Sequence, residues 1–342
     1  MKIKLAFMGF RHGHIFALQQ HASQRTDVEI VAACEEHTET RNELIKTGKI
    51  KITHDNYQKM LDEANCDAIA VGDYYGRRGA IIIEALKRGK HVISDKPICT
   101  SLEEIKQITS LSSRNKLSIG CQLDLRDYPK PIALRNLIKS GRMGEILAIT
   151  FTGQHPLNYG KRPSWYFEKG CHGGTINDIA IHAIDLIPWL TGHNFRKINA
   201  CRNWNARLKE IPHFKDGAQL MMELDNDAGI LGDVSYFSPD AFSYGLPSYW
   251  RFTVWGTNGM AEFSLTTPDL LFYENGKNAP ESIKLPEPVT GGYLDSFIKE
   301  INGADKSSLS LTTQEVLFSS TTTLIAQHAA DHNLCNVTIK SL

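Results

Sequence analysis

Residues 177–186 read NDIAIHAIDL, and they place two carboxylates and one imidazole in an otherwise apolar stretch. Asp178, His182 and Asp185 are spaced four and three residues apart, so on a helix they lie along one side. A histidine of ordinary pKa, near 6.5, suits a general base that removes a hydroxyl proton at neutral pH. Asp178 could orient that imidazole, but Thr175 three residues earlier also predicts a capping box, which is a purely structural role. Asp185 is expected to be the partner of another polar group rather than a catalyst.

The stretch SDKPIC at residues 94–99 supplies a second reactive group. Lys96 and Pro97 follow a predicted buried strand, and open α/β sheets bind ligands at the carboxyl ends of their strands. An ammonium group in that position could stabilise the alkoxide character that grows on a substrate oxygen as hydride leaves. The alternative is a surface lysine before a turn proline.

A glycine turn with the text GFRHGH begins at Gly9, directly after the first predicted strand. Arg11 and His14 stand where the dinucleotide fingerprint G-x-G-x-x-G has its second and third glycines. The following helix offers unpaired N–H groups to a pyrophosphate, and Gly13 allows a close approach. We therefore expect Gly9, Arg11, His12 and Gly13 to bind a dinucleotide. The alternative is that Gly9 merely ends the strand and binds nothing.

Glu35 ends the second predicted strand, roughly 20 residues after the glycine turn. An acidic side chain at that distance accepts hydrogen bonds from the hydroxyls of an adenosine ribose and repels a 2′-phosphate. The sequence thus predicts NAD as the cofactor and disfavours NADP. Glu36 could substitute for Glu35, and a solvated glutamate at a strand end is the alternative.

Aromatic and polar residues in QHPLNYGKRPSWYF (154–167) could form a rim for a sugar-like ligand. The residues assigned to this substrate rim are His155, Tyr159, Trp165 and Tyr166. Loop aromatics that merely pack on the second domain are the alternative.

A bound metal ion is a competing explanation for the histidines and carboxylates of this region, namely His172, Asp178, His182 and Asp185. Because no H-E-x-x-H or Cys–His ligand spacing occurs, no metal is expected.

The order of predicted elements indicates two α/β domains. Residues 1–121 alternate short apolar strands with helices, which predicts a doubly wound parallel sheet of the Rossmann type. Residues 122–342 begin with a helix and a strand, continue with a helix at 175–190, and then consist mostly of strands. Turns at 226–229 and 257–259 separate strand candidates as antiparallel hairpins require. This pattern predicts an open, largely antiparallel sheet, with a last helix that could pack back on the first domain.

Composition excludes several classes of protein. The chain has 342 residues with 38 Lys+Arg against 38 Asp+Glu, so it has no basic field for nucleic acid or an anionic membrane. Seven scattered cysteines without a C-x-x-C pair fit a reduced, cytoplasmic protein. No apolar stretch approaches the roughly 20 residues that span a bilayer.

Gly9, ALKRGKHVISDKP (85–97) and GGTINDIAIHAID (173–185) together resemble the glucose–fructose oxidoreductase/inositol dehydrogenase/rhizopine-catabolism (Gfo/Idh/MocA) family of NAD(P)-dependent dehydrogenases. The resemblance implies a Rossmann domain followed by an open-sheet domain. It also implies that Lys96, Asp178 and His182 form the catalytic group, and that the open sheet serves as an interface in a homodimer or homotetramer.

The chain departs from the family pattern at several positions beside the cofactor. Asp95 replaces the usual Glu before the lysine, and Ala180 replaces a glycine two residues before the histidine. The segment that begins at Asp73 reads DYYGRR in place of T-P-N-x-x-H. Because that segment packs near the cofactor in the family, Asp73 joins the residues expected to bind NAD.

The expected function is an NAD-dependent oxidoreductase that acts on a sugar, sugar acid or cyclitol. Two alternatives stay open. One is a non-catalytic protein of the same fold that senses a dinucleotide or a sugar. The other is an enzyme that uses tightly bound NAD transiently, during glycoside cleavage or epimerisation.

Overall fold

The structure, a computed structural model, describes residues 2–340 as two compact units. The first unit comprises Met1–Asp124, Pro163–Gly173 and Thr290–Ser320, and the second comprises Leu125–Arg162, Gly174–Val289 and Thr321–Leu342. The division after residue 121 expected from the sequence therefore differs from the observed one. Two later segments pack with the first unit because they cover its parallel sheet and its glycine turn.

A five-stranded parallel sheet in the order β2-β1-β3-β4-β5 forms the centre of the first unit. Its strands are β1 (Ile3–Met8), β2 (Val28–Cys34), β3 (Ala68–Val71), β4 (His91–Ser94) and β5 (Ile119–Cys121). All four residues of β3 and all three of β5 are buried, as continuous apolar strands covered on both faces require. The predicted doubly wound sheet is confirmed.

Six of the α-helices within residues 2–340 lie wholly in the first unit. They are α1 (His14–Ser23), α2 (Thr38–Thr47), α3 (Tyr57–Glu63), α4 (Tyr75–Lys87), α5 (Leu102–Asn115) and α8 (Gly292–Ile301). The Ser101 hydroxyl caps the start of α5, since it accepts from the Glu104 N–H at 3.2 Å. Helix α8 packs against β4 and β5, which explains why a late segment joins the first unit.

The second unit is built on a nine-stranded sheet in the order β13-β12-β11-β10-β6-β9-β8-β7-β14. The strands are β6 (Ile146–Pro156), β7 (Phe195–Trp204), β8 (Gly217–Leu224), β9 (Gly229–Ser238), β10 (Arg251–Gly256), β11 (Gly259–Ser264), β12 (Leu270–Glu274), β13 (Glu281–Ser282) and β14 (Cys335–Thr338). Only β6 and β9 pair in parallel among these neighbours, which confirms a largely antiparallel sheet.

One face of this sheet is covered and the other is open. Buried and exposed side chains alternate along β8 and β9, and Met221 and Leu231 are about half exposed on the open side. The remaining helices are α6 (Pro129–Lys139), α7 (Ile181–Thr191), which continues a π-helical segment at Ile176–Ala180, and α9 (Thr313–Asp331). Within residues 2–340, no helix has both the length and the apolar character needed to cross a bilayer.

Candidate active site

The glycine turn between β1 and α1 fits a dinucleotide pyrophosphate. Gly9 has a φ of +81°, and a Cβ there would lie 2.7 Å from the backbone of Asp73, so only glycine fits. Helix α1 begins after Gly13 without a side-chain cap, and a Cβ at Gly13 would meet no atom within 4 Å. The uncapped N-terminus next to open space suits an anion that approaches the backbone closely.

The carboxylate of Glu35 lies at the end of β2, where the sequence predicts it. Its two oxygens accept from the N–H groups of Phe10 at 2.7 Å and of His37 at 2.8 Å, and burial raises its pKa. Glu36 instead forms an ion pair with Arg77. Each oxygen of Glu35 keeps a second lone pair for a ribose hydroxyl, so Glu35 remains the better candidate for that contact.

A buried ion pair fixes the carboxyl ends of β3 and β4. The Arg78 guanidinium donates to the Asp95 carboxylate at 2.9 Å and to the backbone carbonyls of Asp73, Lys96 and Pro97 at 2.7, 2.6 and 3.1 Å. Arg78 and Asp95 have no exposed side-chain surface. Although burial opposes ionisation, Arg78 and the neighbouring histidines hold the pKa of Asp95 well below its usual range.

His12 connects this ion pair to two tyrosines. Its Nδ1 is hydrogen-bonded to the Asp95 carboxylate, and its Nε2 lies 3.0 Å from the Tyr75 hydroxyl and 3.2 Å from the Tyr166 hydroxyl. Burial lowers the pKa of His12 to about 4, despite the attraction of Asp95. The ring is therefore neutral at pH 7, with a proton on Nδ1 and an acceptor at Nε2. Trp165 donates from Nε1 to the Arg11 carbonyl at 3.2 Å, so the 163–173 segment lies on the glycine turn.

The potential metal ligands that lie together in the first unit are not the four residues that the sequence suggests. Within residues 2–340, His12, His14 and Asp95 have ligand atoms within 4.8 Å of one another. Arg78 already neutralises that carboxylate, and a divalent ion would bring a further charge of +2 into a buried site. His172 belongs to the first unit, whereas Asp178, His182 and Asp185 belong to the second.

Lys96 and Asp73 lie at the same edge of the parallel sheet. Lys96 is buried, its peptide bond to Pro97 is cis, and its Nζ lies 5.9 Å from the centre of the Tyr75 ring. Asp73 is buried and accepts from Arg77 Nη1 at 3.1 Å and from the Tyr74 N–H at 2.7 Å. Arg11 places its guanidinium 4.9 Å from the centre of the Tyr74 ring.

In the second unit, the stretch that carries the polar stripe is not a regular α-helix at its start. Residues 176–180 form a π-helix, and the Thr175 hydroxyl is hydrogen-bonded to the Lys215 carbonyl rather than capping the segment. The predicted capping box is therefore wrong, because the wider π turn directs that hydroxyl to a neighbouring segment. Asp178 is freed from a capping role.

The two carboxylates of the stripe have different partners. The Tyr236 hydroxyl donates to the Asp178 carboxylate, and both groups are buried. Asp185 forms a buried ion pair with Arg126, at 2.6 Å from Nη2 and 2.8 Å from Nε. The expectation that Asp185 is a structural partner agrees with this geometry.

Aromatic rings surround the histidines of the second unit. The His155 ring lies 5.3 Å from that of Tyr249, 5.4 Å from that of Tyr244 and 5.8 Å from that of Trp250. The Trp250 ring is also 5.4 Å from His182. These rings and the Asp178 carboxylate lie in the same unit and combine aromatic side chains with a polar acceptor, as ligand sites commonly do.

The substrate residues expected from the sequence are divided between the two units. His155 belongs to the aromatic cluster of the second unit, Tyr159 is 51% exposed on a loop, and Trp165 is buried in the first unit. Sequence reasoning missed Tyr236, Tyr249 and Trp250, because they lie 50 or more residues from the polar stripe and no spacing links them to it. It also missed Tyr75 and Arg78, although the unusual DYYGRR text marked their segment.

Comparison with known proteins assigns both units to one family. The description "Oxidoreductase family, NAD-binding Rossmann fold" matches residues 3–122, and "GFO/IDH/MocA C-terminal domain" matches residues 132–262. A structure of a putative oxidoreductase from Thermotoga maritima is similar, with a TM-score of 0.84 and 23% identity over 98% of this chain and 100% of that chain.

Two curated relatives act on sugars by name. The D-xylose dehydrogenase of Paenarthrobacter nicotinovorans is 24% identical over 75% of this chain and 68% of that protein. The levoglucosan dehydrogenase of Pseudarthrobacter phenanthrenivorans is 24% identical over 63% of this chain and 60% of that protein. The glycine turn, the carboxylate after β2 and the matches over both units lead to one conclusion: this chain belongs to the Gfo/Idh/MocA family of NAD-binding oxidoreductases.

Proposed function

We propose that this protein is a dehydrogenase that oxidises or reduces a CH–OH group of a sugar, sugar acid or cyclitol. The observation that carries the proposal is the buried Asp178 carboxylate beside Tyr236, on the same segment as His182 and within a unit rich in aromatic rings. Aromatic faces pack on the C–H faces of a sugar ring, and a carboxylate accepts from its hydroxyls. The sugar dehydrogenase names of the relatives support the same substrate class.

Each residue of the catalytic group has a separate role. His182 removes or returns the hydroxyl proton of the substrate, and Asp178 orients the imidazole and the hydroxyl. Lys96 donates to the substrate oxygen and stabilises the negative charge that develops there. NAD, when bound, accepts or returns the hydride. Gly9, Arg11, His12, Gly13, Glu35, Asp73 and Pro97 complete the proposed cofactor site.

The cofactor is proposed to be NAD rather than NADP. Glu35 is the carboxylate at the end of β2, and it would repel a 2′-phosphate on the adenosine ribose. Glu36 does not take this role, since its charge is paired with Arg77.

The open face of the nine-stranded sheet is proposed to join copies of the chain in a homodimer or homotetramer. Met221 and Leu231 are 50% and 53% exposed on that face, which also bears a shallow depression of about 450 Å³. The free cysteines of both units support a reducing, cytoplasmic compartment. Light scattering coupled to size-exclusion chromatography would measure the oligomeric state.

The test of the proposed function is the formation of NADH during incubation with NAD and a panel of sugars, sugar acids and cyclitols. We expect NADH absorbance to rise with at least one member of the panel, and His182→Ala to abolish most of that rise. The same panel with NADP measures the cofactor preference. Wild-type rates in His182→Ala would contradict the assigned role of the imidazole.

A non-catalytic sensor is the second candidate. The observation that favours it is the occupation of two fingerprint glycine positions by Arg11 and His14, beside the buried His12–Asp95 pair. A sensor would bind NAD or a sugar and produce no NADH with any member of the panel. An enzyme that oxidises its substrate only transiently would also give no net NADH. It would convert the sugar to a product, and chromatography detects that product.

A further inference from the structure

Within residues 2–340, the buried amide oxygen of Gln122 lacks a hydrogen-bond partner. The residue follows β5 directly, and its N–H donates to the Ser94 carbonyl at 2.9 Å, which ties it to the end of β4. Its side chain is 5% exposed, and Oε1 accepts no hydrogen bond within residues 2–340. Buried acceptors are nearly always satisfied in proteins, because a missing bond costs the full desolvation of the atom. The amide oxygen therefore points to a donor that a ligand supplies.

The position of Gln122 in the sheet identifies the end of the cofactor that it would meet. Strand order places Glu35, after β2, at one end of the carboxyl edge, and Gly9 follows the adjacent strand β1. A dinucleotide whose adenosine lies at β2 and whose pyrophosphate lies at the β1 turn has its nicotinamide on the side of β4 and β5. Lys96 follows β4 and Gln122 follows β5, so both residues lie on the nicotinamide side.

We propose that Gln122 Oε1 accepts a hydrogen bond from the amino group of the nicotinamide carboxamide. An amide oxygen requires a donor, and that amino group is the donor which the nicotinamide ring itself carries. A nicotinamide carboxamide that is held by this hydrogen bond prevents the ring from turning over. Gln122 is therefore a cofactor-positioning residue that determines which face of the ring meets the substrate. The inference rests on the proposed function for the direction in which NAD lies along the sheet edge.

The test uses three ligands that differ at the nicotinamide. NAD carries the amino group, 3-acetylpyridine adenine dinucleotide replaces it with a methyl group, and ADP-ribose lacks the ring. Isothermal titration calorimetry on the whole chain measures the three dissociation constants for the wild type and for Gln122→Leu. We expect the wild type to bind NAD about tenfold more tightly than the acetylpyridine analogue, since one lost hydrogen bond costs about that factor.

Gln122→Leu is expected to weaken NAD binding about tenfold and to leave ADP-ribose binding unchanged. The variant then binds NAD and the acetylpyridine analogue equally. Gln122→Glu keeps an acceptor and is expected to keep the preference for NAD. Gln107→Leu, at an exposed glutamine of α5, is the control for the substitution itself.

Four results would overturn the inference, and they differ in what they say about the proposed function. Equal binding of NAD and its analogue by the wild type, or an unchanged preference in Gln122→Leu, removes the role of Gln122 but leaves the dehydrogenase intact. Equal weakening of all three ligands would show a general structural role for the side chain. Failure of the wild type to bind any of the three would remove the inference together with the proposed function. If Gln122→Leu does not fold, the wild-type preference and Gln122→Glu decide the matter.

Discussion

Asp95 in the first unit and Asp178 in the second are both buried carboxylates that follow motifs expected from the sequence, but they are held by different kinds of partner. Asp95 faces the guanidinium of Arg78 and the imidazole of His12, whereas Asp178 accepts from the neutral hydroxyl of Tyr236. A carboxylate that is neutralised by a buried arginine stabilises the fold around it. A carboxylate that accepts from a neutral hydroxyl is oriented by that hydroxyl. The comparison teaches that motif position alone does not predict which kind of partner a buried carboxylate has.

The largest effect is expected when the Asp95 carboxylate loses the guanidinium of Arg78. Arg78→Met should lower the free energy of unfolding by about 3–5 kcal/mol, because it leaves the buried Asp95 carboxylate without the guanidinium that neutralises it. Urea titration followed by circular dichroism measures this change. Arg251→Met, which removes an exposed pair with Glu262, is the control and should cost less than about 1 kcal/mol. Equal effects of the two substitutions would contradict the distinction between the buried pair and a surface pair.

His12 makes the stability of the protein depend on pH. An unfolded histidine takes up a proton below about pH 6.5, whereas folded His12 stays neutral down to a pKa of about 4. The unfolded state binds more protons in that window, so stability falls as the pH drops from 6.5 towards 4, by about 3 kcal/mol in total. Urea titrations at several pH values measure the slope, which His12→Gln should reduce. A slope in His12→Gln equal to that of the wild type would exclude His12 as the source.

Substitution of His182, four residues after Asp178, should lower the turnover rate rather than the stability of the fold. His182→Ala is expected to lower kcat/KM by roughly 10²-fold, because it removes the proposed general base. Thermal melting should show that the protein still folds, and NADH formation on the substrate found in the panel measures the rate. Loss of folding without a specific loss of rate would assign His182 to the structural side of the comparison.

The smallest effect is expected when the Tyr236 hydroxyl, which donates to the Asp178 carboxylate, is removed. Tyr236→Phe removes one hydrogen bond to a charged acceptor and should reduce kcat/KM about tenfold. Tyr273→Phe, at a partly exposed tyrosine of β12, is the matched control and should retain the wild-type rate. A rate for Tyr236→Phe equal to that of the control would show that the hydroxyl does not orient Asp178 for chemistry.

Much of the fold follows from local patterns in the sequence. Short apolar runs that alternate with helical segments predict β1 to β5. Helices α2 and α3 carry weak signals, since they are polar or short. Helix α8 was not predicted, although its apolar residues recur three and four positions apart. The Thr175 cap was predicted wrongly because a π turn cannot be distinguished from an α turn by residue types.

The sequence by itself determined the alternation of strands and helices in residues 1–121, the family and the residues of the three motifs, because these depend on periodicity and on local spacing. Only the tertiary structure decided which side chains contact the buried carboxylates, since the partners Arg78, Tyr236 and Arg126 come from segments whose spacing along the chain carries no signal. It also decided that Trp165 belongs to the glycine turn and that, within residues 2–340, Gln122 has an unsatisfied oxygen. Burial and hydrogen-bond partners arise from packing, and packing joins residues that are distant in sequence.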